Sequence, residues 1–152
     1  MKKIILFFLI YLIQFLNLSS NEPKLEEIIK GLNSPWSFSF TAKDQILVTE
    51  KSGSLLKVNL TNKKIDKLGH NLNILEDGQG GLLEVLFHNE EVFVTYSENR
   101  GGGKSSTSVA KASLNNNALN FKNIFRAEPP INSGYHFGSR LVIKDNYLFI
   151  TA

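Results

Sequence analysis

One histidine of this chain stands where an imidazole can act on a bound alcohol. His136 lies within residues 133–140, flanked by glycines and directly before the apolar residues 141–143. An imidazole with a pKa near neutrality can take a proton from an alcohol, which is general-base chemistry. The spacing alone leaves open a turn histidine held by backbone groups, because no nucleophile or partner carboxylate is evident beside it. We expect Arg140 to pair with a strand carboxylate or carbonyl rather than to bind an anion.

A second candidate is an amide within a glycine-rich segment. Gln79 is surrounded by three glycines in residues 77–81, directly before the apolar residues 82–87. Glycine permits unusual backbone dihedrals and close approach of other groups. An amide held there offers both a donor and an acceptor to a hydroxyl-bearing ligand, and a plain glycine-rich turn is the alternative. A phosphate loop is excluded, because no Gly-Lys-Ser/Thr sequence follows and no helical pattern begins there.

The remaining polar residues indicate no metal or thiol site. His70 and His88 have no partner at metal-ligand spacing, so we expect surface or turn roles for both. Asp44 and Asp77 lie in predicted turns, where aspartate commonly makes local hydrogen bonds. The chain has no cysteine, which excludes thiol chemistry and cysteine-ligated metals. We therefore predict no metal ligands in this chain.

The elements that must position these residues are strands, and they repeat. Residues 46–50, 92–96 and 148–152 are three versions of one apolar strand with Thr at its fourth place, and the copies start 46 and then 56 residues apart. Each copy follows another apolar strand and a short polar turn. A period of about 50 residues is typical of propeller blades. The pattern predicts an all-β protein that contains the opening part of a larger propeller.

Finer details of the pattern give further expectations. Residues 99–106 contain three consecutive glycines and predict a flexible loop, followed by a strand at 108–114. Asp145 and Asn146 suit a hairpin turn, because both residue types tolerate positive φ. Trp36 is expected to pack in the core.

The first twenty residues predict a secretory signal peptide. Two lysines precede the uninterrupted apolar residues 4–13, and small residues at 19–20 offer a cleavage point. The alternative interpretation is a membrane-spanning helix. Such a helix needs about 20 apolar residues, whereas this stretch is shorter and carries Gln14. We therefore expect residues 1–20 to be removed and residues 21–152 to be exported, to the periplasm or outside the cell. No stable membrane anchor is expected once the signal is cleaved.

The charge balance points away from nucleic acid. Loss of the two N-terminal lysines lowers the basic count from 17 to 15 against 14 acidic residues, which leaves a net charge of +1. The sequence contains no basic stripe interleaved with aromatic residues. Nucleic acid is therefore not an expected partner.

Six short segments, in order, resemble the soluble quinoprotein glucose/sorbosone dehydrogenases, also called aldose sugar dehydrogenases. They are LNSPWS (32–37), ILVTEKSG (46–53), GQGGLLEV (78–85), YSE (96–98), FRAEPP (125–130) and SGYHFGSRLV (133–142). The resemblance covers about residues 25–152. It also favours a strand at residues 24–32, where the apolar spacing alone fits a helix as well.

The resemblance implies a fold and a reaction. The fold is a six-bladed β-propeller, of which the first two to three blades are present. The reaction is oxidation of an aldose at its anomeric hydroxyl to a lactone, with pyrroloquinoline quinone (PQQ) as the hydride acceptor. Calcium holds the quinone, and an external electron acceptor reoxidises it. By the same resemblance His136 is the general base and Gln79 contacts the substrate. Tyr135 stands beside the base, where some members have aspartate, and so bears on substrate preference.

The resemblance also implies what this chain lacks. The family's quinone-binding and calcium-binding residues lie mostly in later blades, so cofactor-binding residues cannot be assigned to positions here. We therefore expect this chain alone neither to bind the quinone nor to turn over. Two other readings remain open: a non-catalytic extracytoplasmic propeller that binds a glycan or a protein, and an inactive truncated remnant.

Overall fold

The protein is described by a computed structural model that covers residues 23–114 and 118–152. The predicted signal peptide, residues 1–20, lies outside the described residues. Within them the chain forms eleven strands and no helix. The strands are β1 (Pro35–Ala42), β2 (Gln45–Glu50), β3 (Leu55–Asn59), β4 (Ile65–His70), β5 (Leu82–His88), β6 (Glu91–Asn99), β7 (Ser105–Ser113), β8 (Ala118–Leu119), β9 (Lys122–Arg126), β10 (Leu141–Lys144) and β11 (Tyr147–Ile150). No helix in this part of the chain is long and apolar enough to cross a membrane.

The strands form three sheets that follow the chain order, except that β8 joins the first sheet. The first sheet has the order β1-β2-β3-β4-β8, the second β5-β6-β7-β9, and the third is the β10-β11 hairpin. All neighbouring strands are antiparallel except β8, which lies parallel to β4. Four-stranded antiparallel sheets that follow one another along the chain are the units of a propeller. The predicted all-β fold of the propeller family, with two to three blades, is confirmed.

The three copies of the repeated strand occupy equivalent places. They lie in β2, β6 and β11, with Thr151 and Ala152 of the third copy just beyond the end of β11. Each of these strands pairs antiparallel with the strand directly before it, which is β1, β5 or β10. The predicted turn at Asp145 and Asn146 is confirmed, because both residues have positive φ, 50° and 64°. Asn89 and Glu90, with φ of 50° and 62°, make the same two-residue connection between β5 and β6. Such turns match the twist of the paired strands.

Apolar residues between the sheets hold them together. The largest cluster joins Leu47, Leu55 and Leu68 of the first sheet to residues of the second such as Val85 and Val94, all of them buried. A smaller cluster joins Phe93 and Val109 of the second sheet to Leu141 of the hairpin. Because each sheet is apolar on the face that meets its neighbour, stacking of consecutive sheets removes those faces from water.

The first sheet keeps the β1 part of its outer apolar face open among the described residues. Ser37 and Ser39 of β1 point toward β5 and accept hydrogen bonds from Val85 N at 3.4 Å and Phe87 N at 3.0 Å. Alternation along the strand therefore turns the aromatic residues the other way. These are Trp36, Phe38 and Phe40, which are 41%, 61% and 56% exposed and line a groove of about 490 Å³.

Three local expectations are wrong. Trp36 does not pack in the core, because it lies on the open face of β1. Residues 24–32 form neither strand nor helix; Ile29 and Leu32 pack against the first sheet as an irregular segment. The glycine-rich loop is shorter than predicted, since β6 runs to Asn99 and β7 begins at Ser105 rather than at residue 108.

Candidate active site

The two glycine-rich segments identified in the sequence lie against each other. The backbone of Gly78 approaches that of Gly134 so closely that a Cβ on Gly78 would come within 2.4 Å of Gly134 O. Gly78 also has a φ of +53°, which residues with a Cβ seldom adopt. The Lys51 ammonium donates a hydrogen bond to Gly78 O. Glycine is needed here because only glycine allows both the dihedral and the contact.

Gln79 bridges the two segments with its backbone and its side chain. Its backbone N–H donates to Gly134 O at 2.6 Å. Its side-chain Oε1 accepts from the backbone N–H of His136 at 3.0 Å. The two candidate residues named from the sequence, 57 positions apart, are thus joined directly.

His136 is held by its backbone and leaves its ring exposed. It has a φ of +65°, in the left-handed region, and its side chain is exposed. The ring of Tyr135 lies beside the imidazole, with 6.3 Å between the ring centres and a 49° tilt. Among the described residues the imidazole makes no hydrogen bond or ion pair. The ring is therefore available to a bound molecule.

Buried contacts on the other side of His136 anchor the segment. Phe137 is buried, and its ring lies against Gly80, where a Cβ would come within 3.0 Å of the ring. The Thr107 hydroxyl donates to Phe137 O at 2.7 Å, and the Thr95 hydroxyl donates to Ser139 O at 2.8 Å. Phe137 is thus buried against the fold while the neighbouring His136 stays exposed.

Arg140 makes the contact expected of it. Its guanidinium forms an ion pair with Glu84 of β5, whose side chain is only 14% exposed. The prediction that Arg140 pairs with a strand carboxylate is confirmed.

Two of the recognised segments form a second polar cluster, on strands β6, β7 and β9. Arg126 binds the carboxylate of Glu98 in a bidentate manner, with Nε–Oε2 and Nη2–Oε1 distances of 2.7 and 2.9 Å. Ser108 Oγ donates to the same carboxylate at 2.7 Å and Asn123 Nδ2 at 3.0 Å. Arg100 in turn pairs with Glu128 at 2.6 Å. The YSE and FRAEPP segments are thus held together by opposite charges.

The electrostatics of this cluster favour the charged form of Glu98. Burial by itself raises the pKa of a carboxyl group, but here hydrogen bonds from Arg126 and Ser108 and the charges of Arg126 and Arg100 outweigh it. The pKa of Glu98 therefore lies below its ordinary value. Burial raises the pKa of the neighbouring Tyr96, whose hydroxyl donates to Asn123 Oδ1 at 2.7 Å. Sequence reasoning missed this cluster; the only signal was a Glu and an Arg in separate segments.

The other candidates serve the fold. His70 Nε2 donates to Gly53 O at 2.6 Å, and His88 is exposed at the end of β5. Asp77 O accepts from Gly80 N at 2.7 Å, within the predicted turn. In residues 23–114 and 118–152 no group of three or more His, Cys, Asp or Glu side chains is arranged to hold a metal ion.

Comparison with known proteins places the chain in a family. Residues 32–152 match the glucose/sorbosone dehydrogenase family, and the chain belongs to that family. It is 29% identical over 136 residues to the aldose sugar dehydrogenase YliI of Escherichia coli strain K12, an alignment that covers 83% of this chain and 37% of that protein. The resemblance found in the sequence is thereby confirmed.

Solved structures of sugar dehydrogenases have the same fold as this chain. A crystal structure of a glucose dehydrogenase superposes with a TM-score of 0.78 and 34% identity, over 84% of this chain and 40% of that one. The PQQ-bound aldose sugar dehydrogenase of Streptomyces coelicolor shares the fold, with a TM-score of 0.67 and 20% identity, over 78% and 37% of the two chains. This chain spans about two fifths of the length of these relatives.

Proposed function

We propose that this chain contributes the general base and a sugar-contacting amide to a site that oxidises aldoses. The observation that carries the proposal is the hydrogen bond between Gln79 Oε1 and His136 N, which brings together the two residues that the family resemblance assigns to the substrate. Membership in the glucose/sorbosone dehydrogenase family supports an oxidoreductase acting on sugars. The exposed imidazole supports a role for His136 toward a bound molecule.

In this proposal His136 removes the proton of the anomeric hydroxyl. Loss of that proton, together with a hydride from the same carbon, converts the cyclic sugar to a lactone. General-base help of this kind typically contributes about 10²- to 10⁴-fold in rate. The clamp by Gln79 and the bond from Thr107 to Phe137 O fix the backbone on both sides of the imidazole. The exposed ring of Tyr135 flanks the sugar and influences which aldose is accepted.

The hydride acceptor that the family implies is PQQ, which a relative from Streptomyces coelicolor is described as binding. The quinone carries carboxylates, which call for free cationic side chains. Of two cationic side chains beside the site, Arg140 forms an ion pair with Glu84, and the Lys51 ammonium donates to the neutral carbonyl of Gly78. The described residues also lack a cluster suited to calcium. The family resemblance places most of the cofactor-binding residues in later blades, so we predict that this chain alone neither binds the quinone nor turns over.

Compartment and electron transfer are part of the same proposal. The N-terminal sequence supports export by a cleaved signal peptide at residues 1–20, to the periplasm or outside the cell. An external acceptor would then reoxidise the cofactor.

The direct test is replacement of the proposed base. In the complete product of the gene, supplied with PQQ and calcium, His136→Ala should lower dye-linked aldose oxidation by about 10²-fold or more. His88→Ala is the matched control, because His88 is also exposed but lies at the far end of β5. Equal activity of the His136 variant and the parent protein would remove the assigned base.

A second candidate is a non-catalytic propeller that binds a glycan. The exposed Tyr135 ring, 61% accessible beside the imidazole, favours it, because aromatic rings commonly stack on sugars. Isothermal titration of oligosaccharides without quinone or calcium separates the two functions: binding that depends on Tyr135 but not on the cofactor would favour the second.

A further inference from the structure

We propose that the outer face of the first sheet and the outer face of the β10–β11 hairpin bind each other between two copies of this chain, so that the two copies close one ring of sheets. The proposal goes beyond the function proposed above and does not depend on it. It rests on a contact that the chain makes twice internally, and whose two halves are both exposed at the ends of the described stack of sheets.

Three hydrogen bonds show which residues of the three hairpins are equivalent. In each hairpin the threonine at the fourth place of the repeat accepts a hydrogen bond from a backbone N–H across the hairpin, at 2.9 to 3.1 Å. Counting from these bonds aligns the strands that precede the repeat, and the strand registers agree with that alignment. The bonds run from Ser37 N to Thr49, from Glu84 N to Thr95 and from Arg140 N to Thr151.

The face toward the preceding sheet is buried at two of three equivalent positions. Val85 and Leu141 each follow the aligned N–H by one place, and both are buried in a cluster shared with the sheet before them. Phe38 is the third member of this series and is 61% exposed. Since no sheet precedes the first one among the described residues, the groove of about 490 Å³ beside Phe38 stays open.

The face toward the following sheet shows the same pattern at the other end. Leu47 and Phe93 each stand two places before a repeat threonine, and both are buried in a cluster shared with the sheet that follows. Phe149 is the third member of this series and is 56% exposed. Tyr147 on the same strand and Val142, which pairs with Phe149, are exposed as well. The hairpin therefore presents an apolar face of the kind that is covered twice within the chain.

A hydroxyl group joins the consecutive units in the same way each time. The first two repeat threonines donate to carbonyl oxygens of the following unit, those of Leu83 and Ser139. Each acceptor lies one place before the aligned N–H of its own unit, and in the first sheet that place is Trp36. We therefore expect the Thr151 hydroxyl of one copy to donate to the Trp36 carbonyl oxygen of the other.

A second copy of the chain carries both faces that the contact needs. One copy has three sheets, so two copies have six, the number of blades in the propeller that the family resemblance implies. The first sheet of each copy then meets the hairpin of the other, which gives two identical contacts about a two-fold axis. The hairpin supplies only two strands, but contacts between consecutive sheets are concentrated on such leading strands, β1 and β2 with β5, and β5 with β10. Closing this ring removes both apolar faces from water.

Charge substitutions distinguish this contact from other modes of association. Phe38→Asp places a carboxylate in one face and Phe149→Lys an ammonium in the other, and each leaves an unpaired charge in the contact. Both rings are more than half exposed in the single chain, so the far-UV circular dichroism should stay that of the parent. Tyr147→Lys, on the same hairpin face, serves as a second variant if Phe149→Lys alters that spectrum. Ile131→Asp is the control, since Ile131 is also exposed but is bridged to Ser105, outside both faces.

Sedimentation velocity of the purified chain tests the proposal. The parent and Ile131→Asp should be dimers, and each of the two charge variants alone should be a monomer. An equimolar mixture of Phe38→Asp and Phe149→Lys should recover dimers, because one contact then joins unchanged faces and the other joins opposite charges. Thr151→Val should raise the dissociation constant about 10-fold or more relative to Thr151→Ser, which keeps the hydroxyl, because each dimer loses two hydrogen bonds.

Four results would overturn the proposal. A parent chain that stays monomeric at every concentration would leave the two faces to other partners, such as further blades of a longer product. Dimers that are lost in Phe38→Asp but kept in the hairpin variants would indicate that two β1 faces meet each other. Open polymers in place of dimers would exclude closure of the ring. A mixture of the two charge variants that stays monomeric would exclude direct contact between the two faces.

Discussion

Thr95 joins the second sheet to the segment that carries His136. Its hydroxyl donates to Ser139 O at 2.8 Å and accepts from Glu84 N at 2.9 Å. Thr49, one repeat earlier, accepts from Ser37 N at 3.1 Å and donates across to Leu83 O at 2.5 Å. In the first two copies of the repeat, the threonine at the fourth place thus links its own hairpin, β1–β2 or β5–β6, to the unit that follows along the chain. This explains why a hydroxyl recurs in an otherwise apolar strand.

The threonine link predicts a stability effect at position 95. Thr95 is fully buried, so Thr95→Val removes its hydroxyl and leaves Ser139 O and Glu84 N without that partner. The free energy of unfolding should fall by about 1–3 kcal/mol, the cost of leaving a buried polar group unsatisfied. Urea denaturation of the purified protein measures it.

Thr61→Val is the control for this substitution. Thr61 lies in an exposed turn, where its hydroxyl makes only a 3.5 Å contact with Asp44. Its effect should stay within about 0.5 kcal/mol. If the two valine variants proved equally stable, the link between the sheets would contribute nothing to folding.

The Glu98–Arg126 pair predicts a second, pH-dependent effect. Glu98→Gln keeps the shape but loses the charge that Arg126 and Ser108 bind, so the free energy of unfolding at pH 7 should fall by about 2 kcal/mol. Because the pKa of Glu98 is lowered from 4.5 in the folded protein, its contribution is complete above pH 4.5. It is lost as the pH falls through the folded-state pKa.

The difference between parent and Glu98→Gln should therefore close on acidification. Denaturation at pH 7, 5, 4 and 3 measures that closure. Glu91→Gln is the control on the same strand, because the Glu91–Lys111 pair is partly solvent-exposed and should contribute at most about 1 kcal/mol. A difference that persists undiminished to pH 3 would rule out the carboxylate as its source.

The repeat and its turns could be predicted because they depend on local chemistry. An apolar strand with Thr at a fixed place, and Asp-Asn between two apolar runs, specify strands and a turn without reference to distant residues. The positions of β2, β6 and β11 follow from that pattern. That Arg140 would pair with a carboxylate could be predicted, since a guanidinium beside a strand commonly does so. Which carboxylate it pairs with could not be predicted.

What could not be predicted depends on contacts between sheets. Trp36 follows the alternation of β1, yet whether that face is covered is decided by other sheets and not by the strand itself. The orientation of the Gln79 amide depends on His136, 57 residues away. Pairing of Glu98 with Arg126 requires β6, β7 and β9 to be side by side. A periodic pattern does not encode such distant partners.

The open face of β1 predicts self-association of the purified chain. Large exposed apolar patches mark interaction surfaces or aggregation sites. The double variant Phe38→Ser/Phe40→Ser should lower the association seen by analytical ultracentrifugation with little loss of folded structure, because both rings are more than half exposed. Leu25→Ser is the control, since Leu25 is fully exposed but is not part of the groove. Equal association of the double variant and the parent would exclude this face.

The contact between Gly78 and Gly134 predicts a penalty at Gly78 beyond that of its backbone dihedral. Gly78 and Gly102 have similar φ, +53° and +60°, but a Cβ at Gly102 would meet nothing within 4 Å. Each change to Ala should cost about 1 kcal/mol for the left-handed conformation. Gly78→Ala should lower the free energy of unfolding by about 1–3 kcal/mol more, because its Cβ would overlap Gly134 O.

Amide exchange at His136 shows whether that overlap reaches the candidate site. Displacing Gly134 also strains its hydrogen bond from Gln79 N. Because His136 is only two residues further along, its own hydrogen bond to Gln79 Oε1 is disturbed as well. Exchange at His136 should therefore accelerate in Gly78→Ala and stay at the parent rate in Gly102→Ala. If both alanine variants lost the same stability and left His136 exchange unchanged, only the dihedral at Gly78 would matter. The close packing of the two glycine-rich segments would then not be what holds the candidate base in place.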